Sequence, residues 1–425
     1  MEISTKFQYT NFIYPYIIDE SKYDKYILRL LENDNCRFKM FEKEKDLDIY
    51  NFFLPSIRAL LFPTFEYRGK MLKNFNNLSS SAKSKIIAKQ EMACFEYFIN
   101  ENVQGKVEED EGIFFDVSKI EIVCFRTGIC FLYIQTHIEE SDSFYDLLDF
   151  NYKFKTMSSE FSKLQNFEKI KIQTNSFKDV KDIREFIENI TGYSIKQFDN
   201  QNIDKIVDSQ FYNYSYVCVD DEHWNDKTDF GSIQTDYMKY VNILPSKDLT
   251  NFTKEKTTKV KNTMDMTKYS KINIGKTSCC IFCSGVDTYN YTKLPYLFEN
   301  QYFYTYILGL YKKFYLKNLN NSFNNYSKIP AMRNSFIDFT KKLWQKEITI
   351  DDNGTRFYNL VEKSLGLDGL YEEVREKYEV IYQSLNIEKN NLYYSIIVIF
   401  LIISLIFNTI NIIWLMMIHW WWRIL

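Results

Sequence analysis

The feature that most constrains this chain is the run "NNLYYSIIVIFLIISLIFNTINIIWLMMIHWWWRIL" at residues 390–425. Nothing in 390–422 carries a fixed charge. As an α-helix rising ~1.5 Å per residue, that stretch is roughly 50 Å long, against a bilayer hydrocarbon core of about 30 Å. It is too long for one close-fitting span and short for two. Tyr393 and Tyr394 stand at one end and Trp414 at the other, and such residues favour the two membrane interfaces. Tyr394 to Trp414 is about 31 Å of helix, one core thickness. The sequence therefore predicts a single span over 392–414. Residues 415–425, with His419, Trp420, Trp421, Trp422 and Arg423, would lie in the far interface. A hairpin turning at "NTIN" would leave arms of about 15 residues, below the usual minimum for a span.

Orientation follows from charge. Arg375, Lys377 and Lys389 precede the span closely and only Arg423 follows it. The positive-inside rule then places the N-terminal side in the cytoplasm. The opening "MEISTKFQYTNFIYPYIIDE" has no apolar h-region, so no signal peptide is expected. The expected location is the cell (inner) membrane, with the N-terminal domain cytoplasmic.

Aromatic residues make up 18% of the chain, so core material is plentiful. A net charge of −3 argues against a general nucleic-acid binder, and no direct DNA or RNA binding is expected. The eight cysteines lack the spacing of a disulfide framework, and a cytoplasmic body keeps them reduced. "SCCIFCSG" holds one Cys-x-x-Cys, Cys280 and Cys283, where a structural zinc site wants four ligands. With only His137, His223 and His419 in the chain, this segment reads as small apolar residues on a buried strand.

Residues 1–290 read as a mixed α/β domain. "KIEIVCFRTGICFLYIQTHI" is a hairpin turning at Arg126, Thr127 and Gly128, and 129–138 is apolar enough for a central strand. "KIKIQTNSF" and "FYNYSYVCVDD" are two more strands. Between them "DVKDIREFIENITG" is an amphipathic helix capped by Asp179 and stopped by Gly192. "SSSAKSKIIAKQEMACFEYFINEN" is expected to be a helix. Residues 246–278, rich in Lys and Thr without sustained periodicity, are expected to be a long polar loop. From 291 to 391 the pattern is helical and predicts a stalk. The uncharged run 300–311 is too short to span and is a buried helix. From Leu370 to Trp414 there is no Pro or Gly, so stalk and span form one continuous helix. The expected fold class is an α+β cytoplasmic domain, a helical stalk and a C-terminal transmembrane helix.

Candidate sites are few. "NIGKTS" lacks the first glycine of a P-loop, whose position is Ser270, but Lys276 in a lysine-rich segment is a candidate phosphate contact. Arg126 and Thr127, at the hairpin turn, are the other candidate ligand contacts. "DDEHWND" supplies oxygen ligands after a strand but no full metal pattern, so no metal site is expected. No nucleophile elbow, H-E-x-x-H or spaced carboxylate pair is present, and no enzyme is expected. In the span, Ser404, Asn408 and Asn411 share one helical face and are candidate pore-lining residues. One helix cannot enclose a pore, so that role requires oligomers.

The stretch "EITIDDNGTRFYNLVEKSLGLDGLYEEVREKYEVIYQSLNIEKNNLYYSIIVIFLIISLIF", with weaker similarity back to about residue 290, resembles the CorA superfamily of divalent-cation transporters in architecture. Those proteins carry a Gly-Met-Asn signature after the first of two spans. Here the equivalent stretch is "FNTIN", with Asn411 at the Asn position and neither Gly nor Met. In lacking the signature the chain looks most like the CorA-like membrane effectors of type III CRISPR defence. That resemblance implies a homo-pentamer in a lipid bilayer, opened by a nucleotide second messenger bound to the soluble domain. A divalent-cation channel and a tail-anchored scaffold without a pore are the alternatives. No resident cofactor is fixed; the implied ligands are a nucleotide-type messenger and, on the transporter reading, a divalent cation.

Overall fold

The computed structural model describes residues 3–66, 75–99, 103–107, 113–138, 141–154, 170–173, 181–192, 211–247, 262–323 and 329–424. Twelve strands form one sheet: β1 (Thr5–Ile17), β2 (Cys36–Phe38), β3 (Met92–Tyr97), β4 (Val103–Val107), β5 (Ile113–Phe125), β6 (Ile129–Ile138), β7 (Ile170–Gln173), β8 (Lys181–Asp182), β9 (Tyr212–Val219), β10 (Thr263–Thr267), β11 (Ser270–Ile274) and β12 (Ser278–Ser284). The order is β10-β11-β12-β9-β1-β6-β5-β4-β7-β8, with β3 also on β5 and β2 outside β3. All pairs are antiparallel except β9 with β12.

The central strands are apolar on both sides, so the sheet needs two covers. Tyr212, Tyr214, Tyr216 and Cys218 of β9 enter one core; Val217 and Val219 enter the other. Helices α1 (Tyr23–Glu32), α4 (Ser80–Ile87), α5 (Phe144–Lys153), α6 (Ile183–Thr191) and α7 (Gln234–Val241) cover the second face. The first is covered by α2 (Leu47–Phe52), α3 (Pro55–Leu61), α8 (Tyr289–Thr292), α9 (Leu294–Leu297), a π-helical turn at Phe298–Tyr302, α10 (Phe303–Ser322), α11 (Ile329–Lys342), α12 (Asp352–Leu365) and the start of α13 (Leu367–Ile424). Tyrosines pin this layer down. The hydroxyls of Tyr9, Tyr214 and Tyr216 donate to the carbonyls of Pro295, Phe298 and Asn290, in the run of short helices and π turn that lies over the sheet.

The hairpin at Gly128 (φ +84°), the buried central strand β6, the buried helix over 300–311 and the strands β7 and β9 follow the sequence reading. Cys279, Cys280 and Cys283 are free and buried on β12, with Cys280 and Cys283 on opposite faces. Three expectations are corrected. The segment expected as one helix splits into α4 and β3, because pairing with β5 and burial on both faces outweigh local helical preference. The cap of α6 is Asp182, whose carboxylate accepts from the Glu185 amide at 2.8 Å; Asp179 lies outside the described residues. Of the expected loop 246–278, residues 248–261 lie outside the described residues, but β10 and β11 form a hairpin in which Met264 pairs with Ile272 in the core. The helices after residue 290 are a layer of the body. Their shared core with the sheet runs to Val374, so the packed layer continues past residue 290.

Gly366 (φ +67°) makes the corner between α12 and α13, whose far part is the apolar helix. Beside this corner Lys312 is fully buried. Its ammonium donates to the Gln345 carbonyl (3.3 Å) and the Tyr358 hydroxyl, with Glu362 at 3.7 Å. Burial pulls the Lys312 amine down to about 8; the neighbouring Glu362 opposes this and Lys346 adds to it. The depressed value means that the unfolded chain binds the proton more tightly. Lys312 therefore reduces stability below about pH 8, on the order of 2–3 kcal/mol, and the penalty lifts as pH rises toward the ordinary lysine value near ~10.4. Against a Lys312→Met variant, wild-type protein should gain thermal stability between pH 7.5 and 9.5. A Tm difference between the two that does not change over that range would remove Lys312 as a buried charge.

Candidate functional site at the fork in the sheet

Along one edge, β5 pairs first with β4, ending at Val103–Val117, and then with β3, beginning at Glu96–Glu121. Ser118–Ile120 lie between the two, at a bulge in the pairing with β6. The outer strands diverge here, β2 following β3 and β7 following β4. The fork opens a cleft of about 460 Å³ lined by Tyr97, Phe98, Ile99, Val103, Asp116–Ile120 and His137.

Register brings a charged cluster to the cleft's inner end. Glu96 and Glu121 stand directly opposite on β3 and β5, an unfavourable pairing if unbridged. Lys39, just after β2, bridges them, its Nζ 2.7 Å from Glu121 and 3.7 Å from Glu96. Lys119 Nζ adds a contact to Glu121 at 3.0 Å, and Lys39 also donates to the Tyr304 hydroxyl of α10 (3.4 Å). Burial alone would raise the Glu121 carboxyl. Lys119 and Lys39 outweigh it and hold the group below the ordinary glutamate value. Burial alone would lower the Lys39 amine; the Tyr304 oxygen and Glu121 overcome this and raise it.

A second polar row crosses the strands beside the first. Lys119, Gln135 and Asn11 are neighbours on β5, β6 and β1. The Ser118 hydroxyl donates to Gln135 Oε1 (3.1 Å), and Gln135 Nε2 donates to Glu299 of the π turn (2.6 Å). Burial raises the Glu299 carboxyl, with Lys119, Gln135 and His137 pulling the other way. Asn11 is fully buried, and neither its amide nitrogen nor its oxygen has a partner among the described residues. The cleft is thus connected through Gln135 to the turn that seats the helical layer.

The sequence-expected contacts lie elsewhere. Arg126 sits on the β5–β6 turn, 4.0 Å from Glu91, and the Thr127 hydroxyl is 3.4 Å from that of Tyr311. Lys276 is exposed on the β11–β12 turn. Both turns are at one end of the sheet, but β9 and β1 stand between them, so the three residues do not form one site. Among the described residues no group of three His, Cys, Asp or Glu is placed to hold a metal, and Asp226 of the acidic turn instead accepts from Lys268 (2.5 Å) and the Tyr269 hydroxyl. Ser404, Asn408 and Asn411 are exposed on α13. The sequence signal for the cleft was the polar residues interrupting two strongly apolar strands, Lys119 and Glu121 on one and Gln135 and His137 on the other. What they meet depends on register.

The chain matches no protein-family model, no curated protein and no solved structure.

Glu121→Gln should destabilise the protein by about 3 kcal/mol at pH 7, because it removes the buried carboxylate that Lys119 and Lys39 share and leaves Lys39 only the longer contact to Glu96. The folded-state value of Glu121 is depressed, so the wild-type advantage exists above the ordinary glutamate value near ~4.3 and fades as pH falls through and below it. Urea unfolding of the detergent-solubilised chain at pH 7 and pH 4 checks both statements.

Proposed function

We propose that the protein is a homo-oligomeric membrane effector whose α/β body binds a nucleotide second messenger and opens a path through the membrane, in the manner of the CorA-like effectors of type III CRISPR defence. The observation that carries this reading is α13. It starts inside the core, with Leu367 and Val374 fully buried, and runs unbroken to Ile424. Its apolar part, Leu392–Trp421, is long enough to cross a bilayer and is uncovered by the rest of the chain. There is no break at 408–411, which favours a single span over a hairpin. A movement of the helical layer would reach the membrane through this rod without an intervening joint.

An isolated helix with Ser404, Asn408 and Asn411 on one face leaves polar groups in hydrocarbon unless water or other copies meet them. A ring of copies satisfies them and encloses a path. The oligomer is a pentamer on the CorA resemblance, with the body in the cytoplasm and the span in the cell membrane. The Asn408→Leu, Asn411→Leu double variant should assemble as wild type but lose nucleotide-dependent ion leak from proteoliposomes, since an apolar constriction dewets. The probes are a panel of adenine nucleotides, cyclic oligoadenylates among them. Leak at wild-type level in the double variant would remove these asparagines from the path. Absence of leak from wild-type protein under every nucleotide would favour a tail-anchored scaffold.

A further inference from the structure

The cleft at the fork brings two hydrogen-bond acceptors together on neighbouring strands. His137 Nδ1 lies 2.9 Å from the Gln8 carbonyl. A carbonyl only accepts, so Nδ1 carries the hydrogen, and in that tautomer Nε2 is the acceptor. Asp116 is the cross-strand neighbour of His137. Its carboxylate, an acceptor only, has no partner among the described residues. Lys119 donates to Glu121 and the Ser118 hydroxyl to Gln135. The polar end therefore presents a carboxylate and an imidazole nitrogen, cross-strand neighbours and both acceptors, with the remaining N–H groups of Lys119 beside them. The other end is aromatic and apolar: Tyr97, Ile99, Val103 and Phe98, whose ring is 40% exposed and braced by the Arg37 guanidinium at 5.0 Å.

Two adjacent acceptors suit two adjacent hydroxyls, and an exposed aromatic ring suits a flat heterocycle. The cleft volume, about 460 Å³, is at the small end of the ~300–1,000 Å³ range for small-molecule sites. We propose that this cleft holds the nucleoside end of a ribonucleotide, with Asp116 and His137 accepting from the ribose 2′- and 3′-hydroxyls and Phe98 and Tyr97 packing on the base. The proposal rests on the reading of the body as a nucleotide sensor and adds the place and the sugar. The phosphate end extends out of the cleft, away from Asp116. Occupancy is felt at the Ser118 bulge and passes through Gln135 to Glu299 and the turn that seats the helical layer.

The test uses the full chain in detergent micelles, titrated calorimetrically with AMP and with 2′-deoxy-AMP. AMP should bind about tenfold or more tightly than the deoxy analogue, the effect of one hydrogen bond to a charged acceptor. Asp116→Asn should weaken AMP by a similar factor and erase the preference for ribose. Phe98→Ala should weaken both ligands equally and leave the preference intact; this second variant serves if Asp116→Asn melts at a lower temperature than wild type. Equal affinity for the two nucleotides, no binding of either, or an Asp116→Asn protein that still prefers AMP overturns the proposal. Proteoliposome leak separates this failure from that of the sensor reading. If leak still responds to nucleotides in Asp116→Asn, the sensor stands and its site is elsewhere. If wild-type protein neither binds AMP nor leaks with any adenine nucleotide, both fail.

Discussion

Everything in the body depends on the two-sided burial of β1, β6 and β9. A strand apolar on one face can lie at a surface; these three cannot. They demand a helical layer on each side, and the chain supplies one mostly from residues before 245 and the other mostly from residues after 288. The second layer is held partly by tyrosine hydroxyls that reach from the sheet to helix carbonyls. Apolar residues of the same size would fill the space but lose these sheet-to-helix hydrogen bonds, each worth about 1 kcal/mol.

The charged cluster at the fork follows from the same sheet. Pairing β3 and β4 end to end on β5 puts Glu96 against Glu121, and the structure answers with Lys39 and Lys119 rather than with apolar groups. A buried ion cluster of this kind is seldom a gain over hydrophobic packing. Its position beside an open cleft, and its continuation through Gln135 to the π turn at Glu299, give it a reason other than stability. π turns concentrate at functional sites, and this one both ends the polar row and presents the Phe298 carbonyl to Tyr214.

The exposed apolar helix, long enough to cross a bilayer, imposes the opposite requirement. Along 392–421 its only internal solution is backbone hydrogen bonding within the helix, and the Thr409 hydroxyl follows suit by donating to the Leu405 and Ile406 carbonyls. The side chains of Ser404, Asn408 and Asn411 find no such local answer in the proposed mechanism and are left to neighbouring copies or water. Because α13 is rooted in the body core, rotation or tilt there is tied to how α10–α12 sit on the sheet.

The sequence by itself determined the elements whose signal is local. The apolar length of the tail, the Gly128 turn, the uncharged run of α10 and the alternation of β9 each follow from spacing within a few residues. Lys119, Glu121, Gln135 and His137 interrupt apolar strands, but the sequence reading did not single them out as a site. The tertiary structure alone decided what those intrusions face. Glu121 meets Lys39 and Glu96, and Asp116 meets His137, through cross-strand pairing and register, which a one-residue slip would undo. The same long-range pairing turned a helix-like segment into β3, made strands of about a third of an apparent loop, and separated Arg126 and Thr127 from Lys276 by two strands. A site that joins residues as far apart as Lys39 and Tyr304 has no local signature; only the packed sheet creates it.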